Sequence, residues 1–182
     1  MVATRPRRAD AQRNYDLLLA AAAQVFAERG TDAPLDEVAR RAGVGSATMY
    51  RHFPTRSDLL VAVYADEVTQ LCARGQSLLT ATSPAEALHE WLRLFMDHIT
   101  AKRDLALAAT DEQSTDLVAE WHGSMLTTAS ALLDAAKRGN AVRPDLDVRD
   151  LLTLVKGIAL AATDQPQAER LLTVVVTSTT TR

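Results

Sequence analysis

Residues 35–53, LDEVARRAGVGSATMYRHF, decide the fold of the N-terminal part of the chain. Apolar residues at helical spacing predict one short helix over 35–42 and a second over 46–53. The segment Gly43-Val44-Gly45 lies between them and supplies a tight turn. Two short helices joined by a glycine turn are the arrangement of a helix-turn-helix, although helical hairpins are also common in all-α proteins.

The second of these helices has an inward and an outward face. At about 100° per residue, Met49 and Phe53 point the same way, and Ala47 and Arg51 lie on the opposite side. The outward face suits the major groove of DNA, since a small alanine allows close approach and Arg51 reaches either a guanine edge or a phosphate. Flanking positions are Thr48 and Tyr50 on the outer side, and Ser46 and His52 on the inner side. We expect the inward pair to pack against Phe26, Leu35 and Val38.

The composition excludes several classes of protein. A chain of 182 residues fits one domain, or a small domain joined to a larger one. Cys72 is the only cysteine, so intrachain disulfides are excluded and a reducing compartment is favoured. No apolar run approaches the roughly 20 residues of a membrane span. Residues 1–11 have no apolar segment typical of a secretory signal. We therefore expect a cytoplasmic protein with no membrane partner.

The charge is divided unevenly along the chain. Residues 1–60 hold nine arginines against seven acidic residues, whereas residues 61–182 hold eleven basic against sixteen acidic residues. The most basic segment is at the N-terminus, with Arg5, Arg7, Arg8 and Arg13. This asymmetry predicts a polyanion contact by the N-terminal part, in which Arg13 takes part and the preceding arginines form an arm. A solvated, solubilising tail would have the same composition.

Helix signals follow one another along the whole chain. With seven glycines and six prolines, the sequence predicts an all-helical protein of about nine helices. The first begins near Asp10 and ends at Gly30, and a second has Asp32 or Ala33 as its cap. Two capping boxes follow, Thr55 with Asp58 and Ser83 with Glu86, and Asp147 is an aspartate cap. A short helix is predicted near 104–109. Gln165-Pro166 opens the final helix, whose end we expect to fray over residues 174–182.

The sequence of residues 35–64, LDEVARRAGVGSATMYRHFPTRSDLLVAVY, resembles the DNA-binding signature of the tetracycline-repressor (TetR) family. The similarity includes AxxAGV, TxYRHF and PTRxxLL. Residues 140–152, NAVRPDLDVRDLL, are similar to C-terminal domains of such regulators. The resemblance implies a three-helix DNA-binding domain over residues 10–55, with its motif at about 34–53, and a helical effector-binding and dimerisation domain over 56–182.

The resemblance also implies which residues contact DNA. Positions matching Ser46, Thr48, Tyr50, His52 and Arg56 contact bases or phosphates in the family. We add Ala47, Arg51 and Arg13 from the helix geometry and the local charge. The family commonly has a threonine at the cap of the second helix, where this chain has Pro34, so a phosphate contact is not expected there.

The C-terminal part carries bulky and polar residues that suit a small-molecule pocket, as the family has between its central helices. The predicted lining residues are Trp91, Phe95, His98, Trp121, His122 and Met125, and ordinary core packing is the alternative for each. No HxxxH or ExxH spacing and no nucleotide-binding or catalytic motif is present, so we expect no metal, no cofactor and no enzyme activity.

Two apolar helices near the C-terminus predict a dimer interface, since the family pairs two such helices per chain. The predicted interface residues are Leu151, Leu152, Val155, Ile158, Ala162, Leu171, Leu172 and Val175, with burial inside the monomer as the alternative. The chain is thus expected to be a homodimeric repressor of a palindromic operator in double-stranded DNA, released by an unidentified small-molecule effector. The alternatives are a ligand-independent or activating regulator of the same fold, and a metal sensor or enzyme built on the C-terminal helices.

Overall fold

The computed structural model describes residues 7–108 and 115–180, with side chains over 9–100 and 117–180. These residues form eight α-helices and no extended strand, which confirms the all-helical prediction. The helices are α1 (Arg7–Arg29), α2 (Leu35–Ala42), α3 (Ser46–His52), α4 (Arg56–Leu78), α5 (Pro84–Ala108), α6 (Thr115–Arg138), α7 (Val148–Ala161) and α8 (Gln165–Thr179). None of the described helices is long and apolar enough to span a bilayer.

The helix number is one below the expected value because the short helix predicted near 104–109 is not separate. Residues 104–108 continue α5. After Pro84 this helix contains neither glycine nor proline, and its last residues are strong helix formers, so nothing interrupts the backbone hydrogen bonds.

The chain divides into two compact units, and the division falls inside α4. The first unit holds residues up to Asp66 together with the end of α5 from residue 104, and the second begins at Glu67. The family resemblance implied an earlier boundary, between residues 55 and 56, at the start of α4. The compact units instead divide two helices, α4 after Asp66 and α5 after Arg103.

The core of the first unit joins α1, α2 and α3. Leu18, Val25 and Val38 are completely buried, and Met49 joins them from α3. Helix α1 ends at Gly30, as predicted, with φ at +80°, a conformation that only glycine adopts without strain. The predicted cap of α2 is wrong: its N-cap is Pro34, and no side chain caps the helix.

The second unit is built around α5 and α6, with Trp91 at its centre. The indole is fully buried, donates from Nε1 to the carbonyl oxygen of Leu71 at 3.1 Å and stacks on Phe95 with ring centroids 5.6 Å apart. Gly75 faces this ring, and a Cβ there would lie 2.7 Å from the indole nitrogen. Only glycine therefore allows α4 to approach this closely.

The capping box at the start of α4 and the aspartate cap of α7 are confirmed. Thr55 donates to Asp58 from its amide at 2.9 Å and from its hydroxyl at 2.8 Å, and the amide of Asp58 donates back to Thr55 Oγ1 at 3.1 Å. Asp147 accepts from the amides of Arg149 and Asp150. The expected fraying of 174–180 is wrong, because Arg143 donates its amide to the carbonyl oxygen of Thr179 at 2.9 Å and holds the end of α8.

Candidate nucleic-acid interface and ligand cavities

Helix α3 is held by its inner face and leaves its outer face open. Met49 and Phe53 are buried, whereas Ala47 and Arg51 are exposed and Tyr50 is 47% exposed. This burial pattern agrees with the two faces predicted from the helical repeat. A short helix whose inner side chains are locked in a core presents its outer side chains in a fixed orientation, as a DNA reader requires.

The turn between α2 and α3 is closed by the backbone and braced by one side-chain contact. Gly43 adopts a left-handed conformation with φ at +66°, and the amide of Val44 donates to the carbonyl oxygen of Ala39 at 3.0 Å. Ser46 Oγ donates to Asp36 Oδ1 at 3.1 Å. This contact joins the first turn of α3 to α2, and it gives Ser46 a structural role besides its predicted contact with DNA.

Arg51 lies along the surface of its own helix. Its Nη2 donates to Thr48 Oγ1 at 2.9 Å, and its Nε lies 3.4 Å from the carbonyl oxygen of Ala47. A guanidinium has five N–H donors, so three remain after these two contacts. Arg51 and Thr48 therefore form one polar surface on the outer face, and either a base edge or a phosphate remains possible for the free donors.

Arg56 has a structural function that the sequence pattern did not reveal. Its Nη1 donates to the carbonyl oxygens of Thr31 at 2.6 Å and Ala33 at 2.8 Å. These carbonyls belong to the loop between α1 and α2, which lacks a side-chain cap at Pro34. The half-buried guanidinium thus fixes the start of α2 against the start of α4, and its predicted contact with DNA stays a prediction.

His52 is enclosed by aromatic rings. Its ring centroid lies 6.0 Å from that of Tyr15, in an edge-on arrangement, and Tyr15 packs on Phe53 at 5.1 Å. Burial, reinforced by the negative charges of Asp66 and Asp16, raises the pKa of Tyr15. His52 therefore helps to position α3 on α1, at the edge of the candidate interface.

The remaining basic residues of the predicted interface lie on α1. Arg13 is exposed. Arg5 lies outside the described residues, and so do the side chains of Arg7 and Arg8, so the predicted arm stays a prediction.

The exposed surface of α2 is an ion cluster centred on Glu37. The carboxylate lies 2.7 Å from Arg40, 3.6 Å from Arg41 and 3.8 Å from Arg29. The hydrogen bond from Arg40 is the main cause that lowers the pKa of Glu37. Arg41 also pairs with Glu28 at 2.7 Å, so three arginines meet two carboxylates in this cluster.

The predicted ligand residues are divided between two cavities of the second unit. The first, the acidic cavity, has a volume of about 580 Å³, and His98 lines it together with Glu67, Arg74, Glu90 and Asp97. The second, the basic cleft, has a volume of about 630 Å³ and opens to solvent between α5, α6 and α7. Its lining includes the predicted residues Phe95, His122 and Met125.

Two of the six predicted ligand residues line neither of these cavities. Trp91 is fully buried under Phe95, and Trp121 is buried on α6. Core packing, which was the alternative interpretation, describes their position. The sequence also missed Arg149 and Lys156, which line the basic cleft from α7. Their spacing of seven residues places them on one face of a helix, and this signal was available in the sequence.

The predicted dimer-interface residues differ widely in exposure. Leu151, Val155 and Leu172 are buried within the single chain, so this assignment is corrected: they pack in its own core because α7 and α8 turn these faces inward. Leu152, Ile158, Ala162 and Val175 are half-buried, and Leu171 is exposed. The most exposed large apolar residues on the two helices are instead Leu154 at 54% and Val174 at 64%.

Metal-ligating side chains do not converge in the part of the chain with described side chains. Over residues 9–100 and 117–180, no group of three or more histidine, cysteine, aspartate or glutamate side chains has the geometry of a metal site.

Two family models match separate parts of the chain. Residues 18–63 match the model described as bacterial regulatory proteins of the tetR family. Residues 83–178 match the model described as the C-terminal domain of SbtR-like transcriptional regulators. The first match includes all of α2 and α3, and the second includes α5, α6 and α7, which line the basic cleft.

Curated and solved proteins agree with these models. The chain is 32% identical over 145 residues to the HTH-type transcriptional repressor KstR2 of Mycolicibacterium smegmatis, a match that covers 73% of this chain and 69% of that protein. It is 38% identical over 84 residues to the HTH-type transcriptional activator FasR of the same organism, but this match spans only 38% of the activator's length and 45% of this chain. A TetR transcriptional regulator from Streptomyces coelicolor, solved by crystallography, is 40% identical with a TM-score of 0.77, and the match covers 91% of this chain and 97% of that one.

Proposed function

The chain belongs to the TetR family of DNA-binding transcriptional regulators, and from this we propose that it is a homodimeric repressor of a palindromic operator, released by a small-molecule effector. The observation that carries the proposal is the outer face of α3. Tyr50, Arg51 and Ala47 are exposed on a helix that Met49 and Phe53 lock into a core. Such a helix inserts into a major groove without rearranging first.

Specific contacts are assigned by chemistry. Tyr50 and Arg51, with Thr48 beside them, provide donors that reach base edges or phosphates. Ala47 allows close approach of the helix, and Arg13 adds positive charge from α1. Ser46, His52 and Arg56 are proposed to approach phosphates at the border of the interface, in addition to the contacts that they make within the chain.

Dimerisation is proposed through the exposed sides of α7 and α8. TetR-family regulators typically act as dimers, and two recognition helices on a palindrome lie about one helical turn apart, roughly 34 Å. Leu154, Leu171 and Val174 expose apolar side chains, and Gly157 and Ala161 are small enough for a close helix crossing. Half-buried Ile158, Ala162 and Val175 complete the proposed surface, whereas Leu152, which was also predicted there, lines the basic cleft. A symmetric dimer would bury the same patch on both copies.

The sign of regulation is proposed from the extent of similarity. The repressor KstR2 matches across 73% of this chain and 69% of its own length, whereas the activator FasR matches over 84 residues, 45% of this chain and 38% of its own length. Activation is therefore the second candidate. In both cases the protein acts on chromosomal DNA, and we place it in the cytoplasm and assign it no enzymatic activity.

The decisive experiment selects binding sites from random DNA with the purified chain, followed by footprinting of the selected site. We expect enrichment of a palindrome and affinity that falls steeply with salt, since arginines displace counterions from phosphates. The double variant Tyr50→Ala/Arg51→Ala is the control and loses enrichment. A reporter carrying the selected site then distinguishes repression from activation. If the selection enriches no sequence even at low salt, the proposed function is refuted.

A further inference from the structure

The basic cleft combines an apolar floor with a cationic side. Phe95 and Met125 are buried at its base, and Leu126 and Leu152 are half-buried beside them. Arg149, Thr153 and Lys156 follow one another along one face of α7, over about 10 Å of helix axis. Among the residues whose side chains the structure describes, none that lines the cleft is acidic. The volume of about 630 Å³ lies within the range typical of small-molecule sites.

Over residues 9–100 and 117–180, no acidic side chain neutralises the positive charges of the cleft. Among the described side chains, neither Arg149 nor Lys156 makes an ion pair or a side-chain hydrogen bond, and both are exposed. The acidic residues that flank Arg149 in sequence are Asp147 and Asp150. Asp147 is used as the helix cap, with Oδ1 2.7 Å from the amide of Arg149, and neither lines the cleft. Of the described side chains, an anionic group in the cleft therefore meets two cations and no competing carboxylate.

The acidic cavity has the opposite character. Three of its lining residues, Glu67, Glu90 and Asp97, carry carboxylates, and its arginine, Arg74, is paired with Glu90. Asp97 accepts from Gln165 at 2.8 Å. An organic anion would meet net negative charge there. The described linings of the two cavities therefore carry opposite charge, and an organic anion suits the basic cleft.

We propose that the basic cleft binds a carboxylate with an apolar body, whose head group lies against Arg149 and Lys156 and whose body packs on Phe95 and Met125. The proposal rests on the proposed function in one respect, since it identifies this molecule as the effector that releases DNA. A charge-assisted hydrogen bond from either cation is stronger than one to a neutral hydroxyl. The site should therefore prefer a carboxylate over the alcohol of the same size.

Calorimetric titration of the full chain tests the site without DNA. The probes are decanoate and 2-naphthoate, each compared with its neutral counterpart, decanol and 2-naphthol. We expect at least one carboxylate to bind with a dissociation constant below about 1 mM and at least about tenfold more tightly than its alcohol. The proposal is overturned if neither carboxylate binds in that range, or if the alcohols bind as tightly.

The variant Arg149→Met/Lys156→Met locates the preference. Methionine keeps an apolar stem of similar length, so the floor stays covered while both charges are removed. The preference for carboxylate should fall to within about twofold, with unchanged helical circular dichroism. Arg138→Met removes an exposed arginine elsewhere in the same unit and should retain the full preference. A double variant that keeps the preference would refute the assignment to this cleft.

A second titration separates the ligand site from the proposed function. Fluorescence anisotropy of labelled operator DNA should show release by the bound carboxylate with wild type and at least about tenfold weaker release with the double variant. Carboxylate binding without any operator binding would refute the proposed function and leave the site intact. Operator binding without carboxylate binding would refute the site and leave the proposed function intact.

Discussion

Replacing Arg56 by methionine should destabilise the first unit even in the absence of DNA. The guanidinium donates to the carbonyl oxygens of Thr31 and Ala33 at 2.6 and 2.8 Å, across the loop that precedes α2. Methionine keeps the apolar stem and removes both hydrogen bonds. Hydrogen bonds to a charged donor contribute about 1.5–3 kcal/mol each, but Thr31 is half-buried, so its carbonyl oxygen regains a water partner when the guanidinium is removed. We therefore expect a net loss of about 1–3 kcal/mol in the free energy of unfolding.

Urea unfolding followed by circular dichroism measures this loss, and the same protein is titrated with operator DNA at a temperature where it is folded. Arg13→Met is the matched control, because Arg13 is exposed on α1 and makes no described side-chain contact. It should leave stability within about 0.5 kcal/mol of wild type and reduce only DNA affinity. An Arg56→Met protein as stable as wild type would show that the two hydrogen bonds do not support the loop, and that the arginine serves DNA alone.

Three further changes test other parts of the fold and interface. Gly75→Ala should cost about 1–3 kcal/mol in the free energy of unfolding, because the new Cβ would lie 2.7 Å from the Trp91 indole nitrogen. Gly123 has open space around it, so Gly123→Ala should be neutral or slightly stabilising. Equal unfolding midpoints for the two variants would contradict the close packing at Gly75. Asp147→Ala removes the cap of α7 and should lower the free energy of unfolding by about 1 kcal/mol. Asp145→Ala removes only an exposed ion pair with Arg143 and should change stability little. Thermal unfolding compares the two variants, and a larger loss of stability for Asp145→Ala would contradict the assignment of the cap. Tyr50→Ala and Arg51→Ala should each weaken operator binding by about 1–3 kcal/mol in anisotropy titrations. Neither variant should change the elution volume of the protein in gel filtration. Wild-type affinity in both variants would show that α3 does not read DNA.

Features encoded over short distances were readable in the sequence. The helical repeat placed Met49 and Phe53 on one side of α3 and Ala47 and Arg51 on the other, and burial follows that division. Caps depend on residues two or three positions apart, so the Thr55–Asp58 box was predictable. Glycine ends α2 at Gly43 for a backbone reason that is independent of the rest of the fold.

Features that depend on the packing of distant segments needed the tertiary structure. The helical repeat predicts on which side of a helix a residue lies, but not which other helix packs against that side. The apolar pattern of α7 therefore did not reveal that Leu151 and Val155 are buried while Leu154 is exposed. In the same way, Arg56 donates to carbonyl oxygens more than twenty residues earlier in the chain, a contact that no local pattern indicates. The cleft is formed by Phe95 of α5 together with Arg149 and Lys156 of α7, and only the packing of these helices brings the apolar and the basic residues together. Local geometry follows from neighbouring residues, whereas burial and cavity chemistry follow from which helices pack together.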